Sequence, residues 1–124
     1  MSVWQKYKES RAITIDLGEL DPSLKGLWVK ALPTTANEPI KAMEMERIGS
    51  DESLTTEEQN RKIMQFWIMD WNLPYADDDS KILPIPSDEN HDWEENIPFE
   101  VQLFIMRKIQ EEDKKRVEVP KENG

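Results

Sequence analysis

WIMDWNLPYADDDSKILPIP, residues 67–86, is the stretch on which the fold turns. It opens with Trp67 and Trp71 in an apolar run and stops at Leu73-Pro74. It then passes through Asp77, Asp78 and Asp79 and restarts as Ile82-Leu83-Pro84-Ile85-Pro86. Proline disfavours helix in the residue before it, so a helix arriving from upstream ends at Leu73. Pro84 and Pro86 hold Leu83 and Ile85 near extended geometry, which limits the entropy lost when the loop orders. Large rings beside a proline-held loop are expected to order a helical module that contacts another polypeptide.

Upstream, DESLTTEEQNRKIMQFWIMDWNL carries the clearest helix signal. Thr55 stands three residues before Glu58, the spacing of a capping box. Ile63, Phe66, Trp67, Met69 and Trp71 then crowd a broad apolar surface, as in a central, buried helix. Trp67 and Trp71, four apart, read as core of that helix. Before it, IKAMEMERIGS reads as a helix with Asn37 as N-cap, Glu38 and Pro39 in the first turn and Gly49 as its stop. Ile40, Met43 and Ile48 are expected on its inner face. AITIDL and LWVKAL alternate apolar and polar residues as two strands of a hairpin, with turn chemistry at Gly18, Asp21-Pro22 and Gly26. A hairpin alone is marginal in water and must lean on helices.

Downstream, residues 76–98 read as a long connection, a feature that in compact domains is functional or disordered. Asn96 is the expected cap of a last helix, with Pro98 near its first turn. Val101, Phe104, Ile105, Lys108 and Ile109 follow its amphipathic spacing, with Lys108 laying its methylenes along the apolar edge. The fold class is therefore α+β and helix-dominated: a small N-terminal antiparallel hairpin on about three α-helices. One domain spans residues 1–109, and residues 110–124 form a charged, frayed tail.

The 124 residues suit one domain, and 26 acids against 16 Lys plus Arg give a formal charge of −10. That balance disfavours nucleic-acid backbones and anionic membranes, where cations must replace counterions. Cysteine is absent, which excludes disulfides and thiolate sites. MSVWQKYKES lacks the apolar core of a secretory signal, and IMQFWIMDW is too short to span a bilayer. A soluble, intracellular protein is expected.

Catalytic patterns are missing. His91 in NHDWEEN lies near Asp92, Glu94 and Glu95, but a zinc site wants spaced ligands on rigid elements. DDDSK lacks the alternation, glycine and distal glutamate of a calcium loop. No glycine-framed serine stands beside a base and no Gly-rich phosphate loop occurs, so no enzyme, cofactor or metal is expected. Of five tryptophans, Trp4 and Trp93 lie in polar surroundings and are the candidates for exposed anchors.

The opening tryptophan segment, ITIDL, WVKAL, Trp71-Asn72-Leu73, Asp77 to Asp79, Leu83-Pro84-Ile85-Pro86 and IPFEVQLFIMRKI together resemble tail assembly chaperones of long-tailed bacteriophages. The likeness runs from Trp4 to Ile109. One departure is Ser80-Lys81 where the family's acidic turn ends in glycine. The resemblance implies a non-enzymatic protein of the host cytoplasm, absent from the mature virion. Such a protein binds the tape measure protein, keeps it soluble and helps recruit tail tube protein; some members also exist as a longer frameshifted product. Leu83, Ile85, Trp93, Val101, Phe104 and Ile105 are the expected surface for client or self contacts. Two alternatives differ in class: an acidic nucleic-acid mimic that inhibits a host defence nuclease, and a structural tail completion or connector protein.

Overall fold

Alternation at residues 12–17 and 27–32 yields the expected hairpin. In the computed structural model, which describes the backbone of residues 2–122 and the side chains of residues 2–115, β1 (Ile13–Asp16) pairs antiparallel with β2 (Trp28–Ala31). The register sets Ile15 opposite Val29, and both point into the core. The connection owes its shape to two carboxylates acting on their own turns. Asp16 accepts from Gly18 N at 2.8 Å, and Asp21 accepts from Ser23 N at 2.8 Å. Each bond fixes a short 3-10 turn, over Leu17–Glu19 and Pro22–Leu24. Gly26 follows at φ +95°, a left-handed position that suits glycine.

The quoted stretch departs from the helical expectation. After α2 (Pro39–Gly49), α3 (Thr56–Trp67) begins at the capping box, with Thr55 and Glu58 exchanging two bonds of 3.1 Å. It stops at Trp67, and Ile68–Trp71 forms strand β3 on the free edge of β2, giving the order β1-β2-β3. Trp67 and Trp71 therefore never share a helix. Strand pairing wins because Val29 sits opposite Trp71, and Leu32 N donates to Trp67 O at 2.7 Å. A short apolar run containing Ile68 and Trp71 satisfies either period, and tertiary pairing decides.

The 76–98 connection is also more ordered than expected. β4 (Pro74–Tyr75) and β5 (Asp78–Ile82) form a second hairpin, and α4 spans Asp92–Asn96. Asp78 accepts from Ser80 N at 2.9 Å and from its hydroxyl at 2.6 Å, so this side chain supplies turn bonding where a glycine was expected. Those bonds hold the Asp78 carboxyl below the ordinary aspartate range. Asn96 does not cap the last helix. Its oxygen accepts from Ala76 N at 2.9 Å, tying the β4–β5 turn to α4.

The last helix, α5 (Phe99–Glu122), runs on past Ile109. Residues 110–122 are thus helical in backbone where a frayed tail was expected; Asn123 and Gly124 lie outside the described residues. Asp113 explains part of the extension. Its carboxylate accepts from Thr34 N, Thr35 N and Thr35 Oγ1 at 3.0, 3.0 and 3.1 Å, capping a 3-10 turn about 80 residues away in sequence. Val101, Ile105, Met106 and Ile109 form the buried stripe of α5. Lys108 lies over the Phe104 ring at 5.6 Å and reaches Glu19 at 3.4 Å, as a snorkelling edge residue does.

On α2 the expected inner face is rotated. Met45 and Ile48 are buried, whereas Ile40 and Met43 point outward, 82% and 69% exposed. Glu38 is the N-cap residue, ahead of Pro39 at the first helical position. Asn37 instead turns inward and donates to the carbonyls of Leu32 and Pro33, each at 3.3 Å. Two elements add to the three expected helices: α4 and an N-terminal α1 (Val3–Arg11).

Candidate partner-binding surface

The proline-held segment turns out to be an internal clamp. Trp71 Nε1 donates to Leu83 O at 2.8 Å, and Leu83 N donates to Leu73 O at 2.8 Å. Between them Asn72 reaches the first hairpin, accepting from Trp28 N at 2.8 Å and donating to Gly26 O at 2.9 Å. Trp71, Asn72 and Leu73 thus tie two distant parts of the chain, Leu83 and residues 26–28, to one point. Buried N–H and C=O groups must find partners, and here the partners come from distant sequence.

Consequently the six residues expected to meet a client do not form a surface. Leu83, Trp93, Val101 and Ile105 are buried in the core, and Phe104 is half-buried beneath Lys108. Ile85 alone is exposed, between the buried Leu83 and Pro86. Trp93 is only 2% exposed, although every residue from Ser87 to Asn96 except Trp93 itself is polar or charged. Its indole N–H lacks a hydrogen-bond partner. An orphaned buried donor costs about 1–3 kcal/mol, which the burial of the ring has to offset.

Exposed apolar surface lies instead on α1. Ser2 caps this helix by accepting from Gln5 N at 3.1 Å, yet none of its residues is buried. Its attachments to the body include two exposed ion pairs, Lys8–Glu38 at 2.9 Å and Glu9–Lys30 at 2.7 Å. Such pairs contribute little and are screened by salt. Lys8 holds the Glu38 carboxyl below the ordinary glutamate range, helped by the charge of Lys41. Gln5, Lys8 and Glu9 line a cleft of about 260 Å³ against Leu32, Asn37, Phe66 and Met69. The other side of the helix presents Val3 and Trp4, each 75% exposed, and Tyr7. Trp4 meets Tyr7 edge to face at 6.5 Å, and the Arg11 guanidinium lies 5.0 Å over the Tyr7 ring.

A nine-residue helix is marginal on its own in water, and none of the residues of α1 is buried. Aromatic rings held outward on such a helix are the kind of feature that marks protein interfaces. The exposure of Trp4 was legible from its polar neighbours in sequence. Tyr7 was missed, and its i, i+3 spacing from Trp4 was the available signal. The outward pair Ile40 and Met43 on α2 forms a second, smaller apolar site, close to the Lys8–Glu38 tie.

A cleft of about 630 Å³ is lined by Glu44, Arg47, Glu58, Arg61, Lys62 and His91 among others. Arg47 pairs with Glu44, and Arg61 pairs with Glu94 at 2.9 Å. His91 lies 3.1 Å from Glu94 through Nδ1 and 3.2 Å from the Asp88 carbonyl through Nε2, closing its own loop. Among the described residues no cluster of three or more His, Asp or Glu could hold a metal, and no helix is long and apolar enough to cross a membrane. Comparison with family models, with curated proteins and with solved structures returns no match.

Proposed function

We propose that the protein is a non-enzymatic tail assembly chaperone of a long-tailed bacteriophage. In this reading it acts in the host cytoplasm and is left out of the mature virion. It binds the tape measure protein, keeps it soluble and aids assembly of the tail tube. The observation that carries the binding role is α1, a helix with no buried residue that turns Val3, Trp4 and Tyr7 to solvent. The identity of the client rests on the resemblance borne by Trp71-Asn72-Leu73, the acidic turn and Leu83-Pro84-Ile85-Pro86. Those residues clamp the fold, so the likeness describes the scaffold, while the docking rings stand on α1.

The nucleic-acid mimic has less support, because carboxylates are spent locally. Asp16, Asp21, Asp51 and Asp78 each bond within their own turn, and Glu38 and Glu44 face Lys8 and Arg47. The test is co-expression with the tape measure protein of the same virus, followed by co-purification. The intact chain is expected to hold that protein in the soluble fraction. Substituting Trp4→Ala together with Tyr7→Ala should lose it while the chaperone itself stays folded. Insoluble tape measure protein in both cases rejects the reading.

A further inference from the structure

We infer that the cleft where α3, α4 and α5 meet is a docking site for a cationic segment of another polypeptide, which inserts one aliphatic side chain. The site is separate from α1 and does not depend on which protein is the client. Asn60 and Arg61 reach the cleft from α3, and Phe99, Gln102 and Met106 from α5, where spacings of three and four keep them on one face. Gln102 fixes the corner between α4 and α5 by donating to the carbonyls of Glu94 and Ile97, at 3.2 and 2.8 Å. Trp93 is the residue that points to a ligand. It lines the cleft while buried, and among the described residues its indole N–H is the one buried side-chain group without a partner. It serves from within the wall, not as an exposed anchor, and a backbone carbonyl is an acceptor that any polypeptide brings.

Size and charge narrow the occupant. The cleft holds about 200 Å³. Small-molecule sites run to about 300–1,000 Å³, so this one suits a single aliphatic side chain packed on Ile97, Met106 and the exposed Phe99 ring. Arg61, the one cation among the lining residues, is held by Glu94 at 2.9 Å, and His91 lies against the same carboxylate. Glu57 lines the cleft with no ion pair among the described residues. Residues 92–100 add Asp92, Glu95 and Glu100 to Glu94 and contain no cation. An acidic mouth on a chain of formal charge −10 draws a cationic partner both at long range and at contact. The same charge disfavours acidic peptides, nucleic acid and anionic membranes.

The probe is a pair of synthetic amphipathic peptides with the same leucine stripe, one with lysine and one with glutamate on its polar face. Each is titrated into the isotope-labelled full-length protein at low and high salt, and the indole proton of Trp93 is followed by NMR. That resonance is assigned by its loss in Trp93→Phe, or from through-bond correlations should the variant unfold. The lysine peptide is expected to bind and to move the Trp93 indole proton downfield, as a new hydrogen bond from this donor requires. Phe99→Ala should weaken binding about tenfold. Glu57→Gln should flatten its salt dependence. Both side chains are exposed, so each variant should keep the parent melting temperature. Equal binding of the two peptides overturns the inference, as does binding that leaves the Trp93 indole unmoved or that Phe99→Ala leaves unchanged. Shifts confined to residues 3–11 also overturn it and leave α1 as the docking element.

Discussion

Trp71 and Trp4 belong to the same residue type and meet opposite fates. Trp71 is sealed in the core, its indole N–H spent on Leu83 O, with Asn72 and Leu73 fastening the flanking backbone. Trp4 stands in water on a helix attached by ion pairs. The contrast separates two uses of a large ring. A tryptophan whose polar handle finds a distant backbone acceptor holds the fold together. A tryptophan on a helix with no buried residue leaves its area open to solvent.

The contrast can be broken in order of expected effect. Trp71→Ala removes a buried ring and its bond to Leu83, and should cost about 3–5 kcal/mol in chemical denaturation, enough to threaten folding. Asn72→Ala leaves Trp28 N and Gly26 O without their side-chain partners and should cost about 1–3 kcal/mol. Asp113→Ala removes the cap on Thr34 and Thr35, for about 1 kcal/mol by thermal melting. Trp4→Ala with Tyr7→Ala should fall within about 0.5 kcal/mol of the parent, as surface changes do. A large loss there would show that α1 is part of the core.

Acid should loosen the arm before the clamp. The Glu38 carboxyl is lowered by Lys8, so the attachment it provides is present above the ordinary glutamate range and is lost as pH falls through the folded value. Protection factors in residues 3–11, taken relative to the intrinsic exchange rate at each pH, should therefore fall once the pH drops below the ordinary glutamate range. The Trp71 clamp, made of neutral hydrogen bonds, should hold over the same range.

The sequence disclosed those parts of the fold whose signal is local. The hairpin and the Thr55–Glu58 box followed from short-range pattern and appear where expected, as do Val101, Ile105 and Ile109 of the α5 stripe, which Met106 joins. What escaped depended on contacts far along the chain. Ile68–Trp71 suits helix or strand, and only the open edge of β2 chooses between them. IKAMEMERI offers two overlapping stripes, and inward packing at Met45 and Ile48 selects the one that leaves Ile40 and Met43 outside. Trp93 has acidic neighbours in sequence, yet one residue into α4 the chain has already turned it under the core. The expected docking set failed for that reason: apolar residues beside a rigid loop were read as presented, when the loop was rigid because it was packed.

Hydrogen exchange of the free protein, followed residue by residue, tests the division between clamp and arm most directly. Amides of β2 and β3 around Val29 and Trp71 should exchange only through global unfolding, whereas those of α1 should open with far lower free energy and exchange faster still in high salt. Protection of residues 3–11 equal to that of β2, unchanged by salt, would contradict the account and return Trp4 and Tyr7 to the body of the fold.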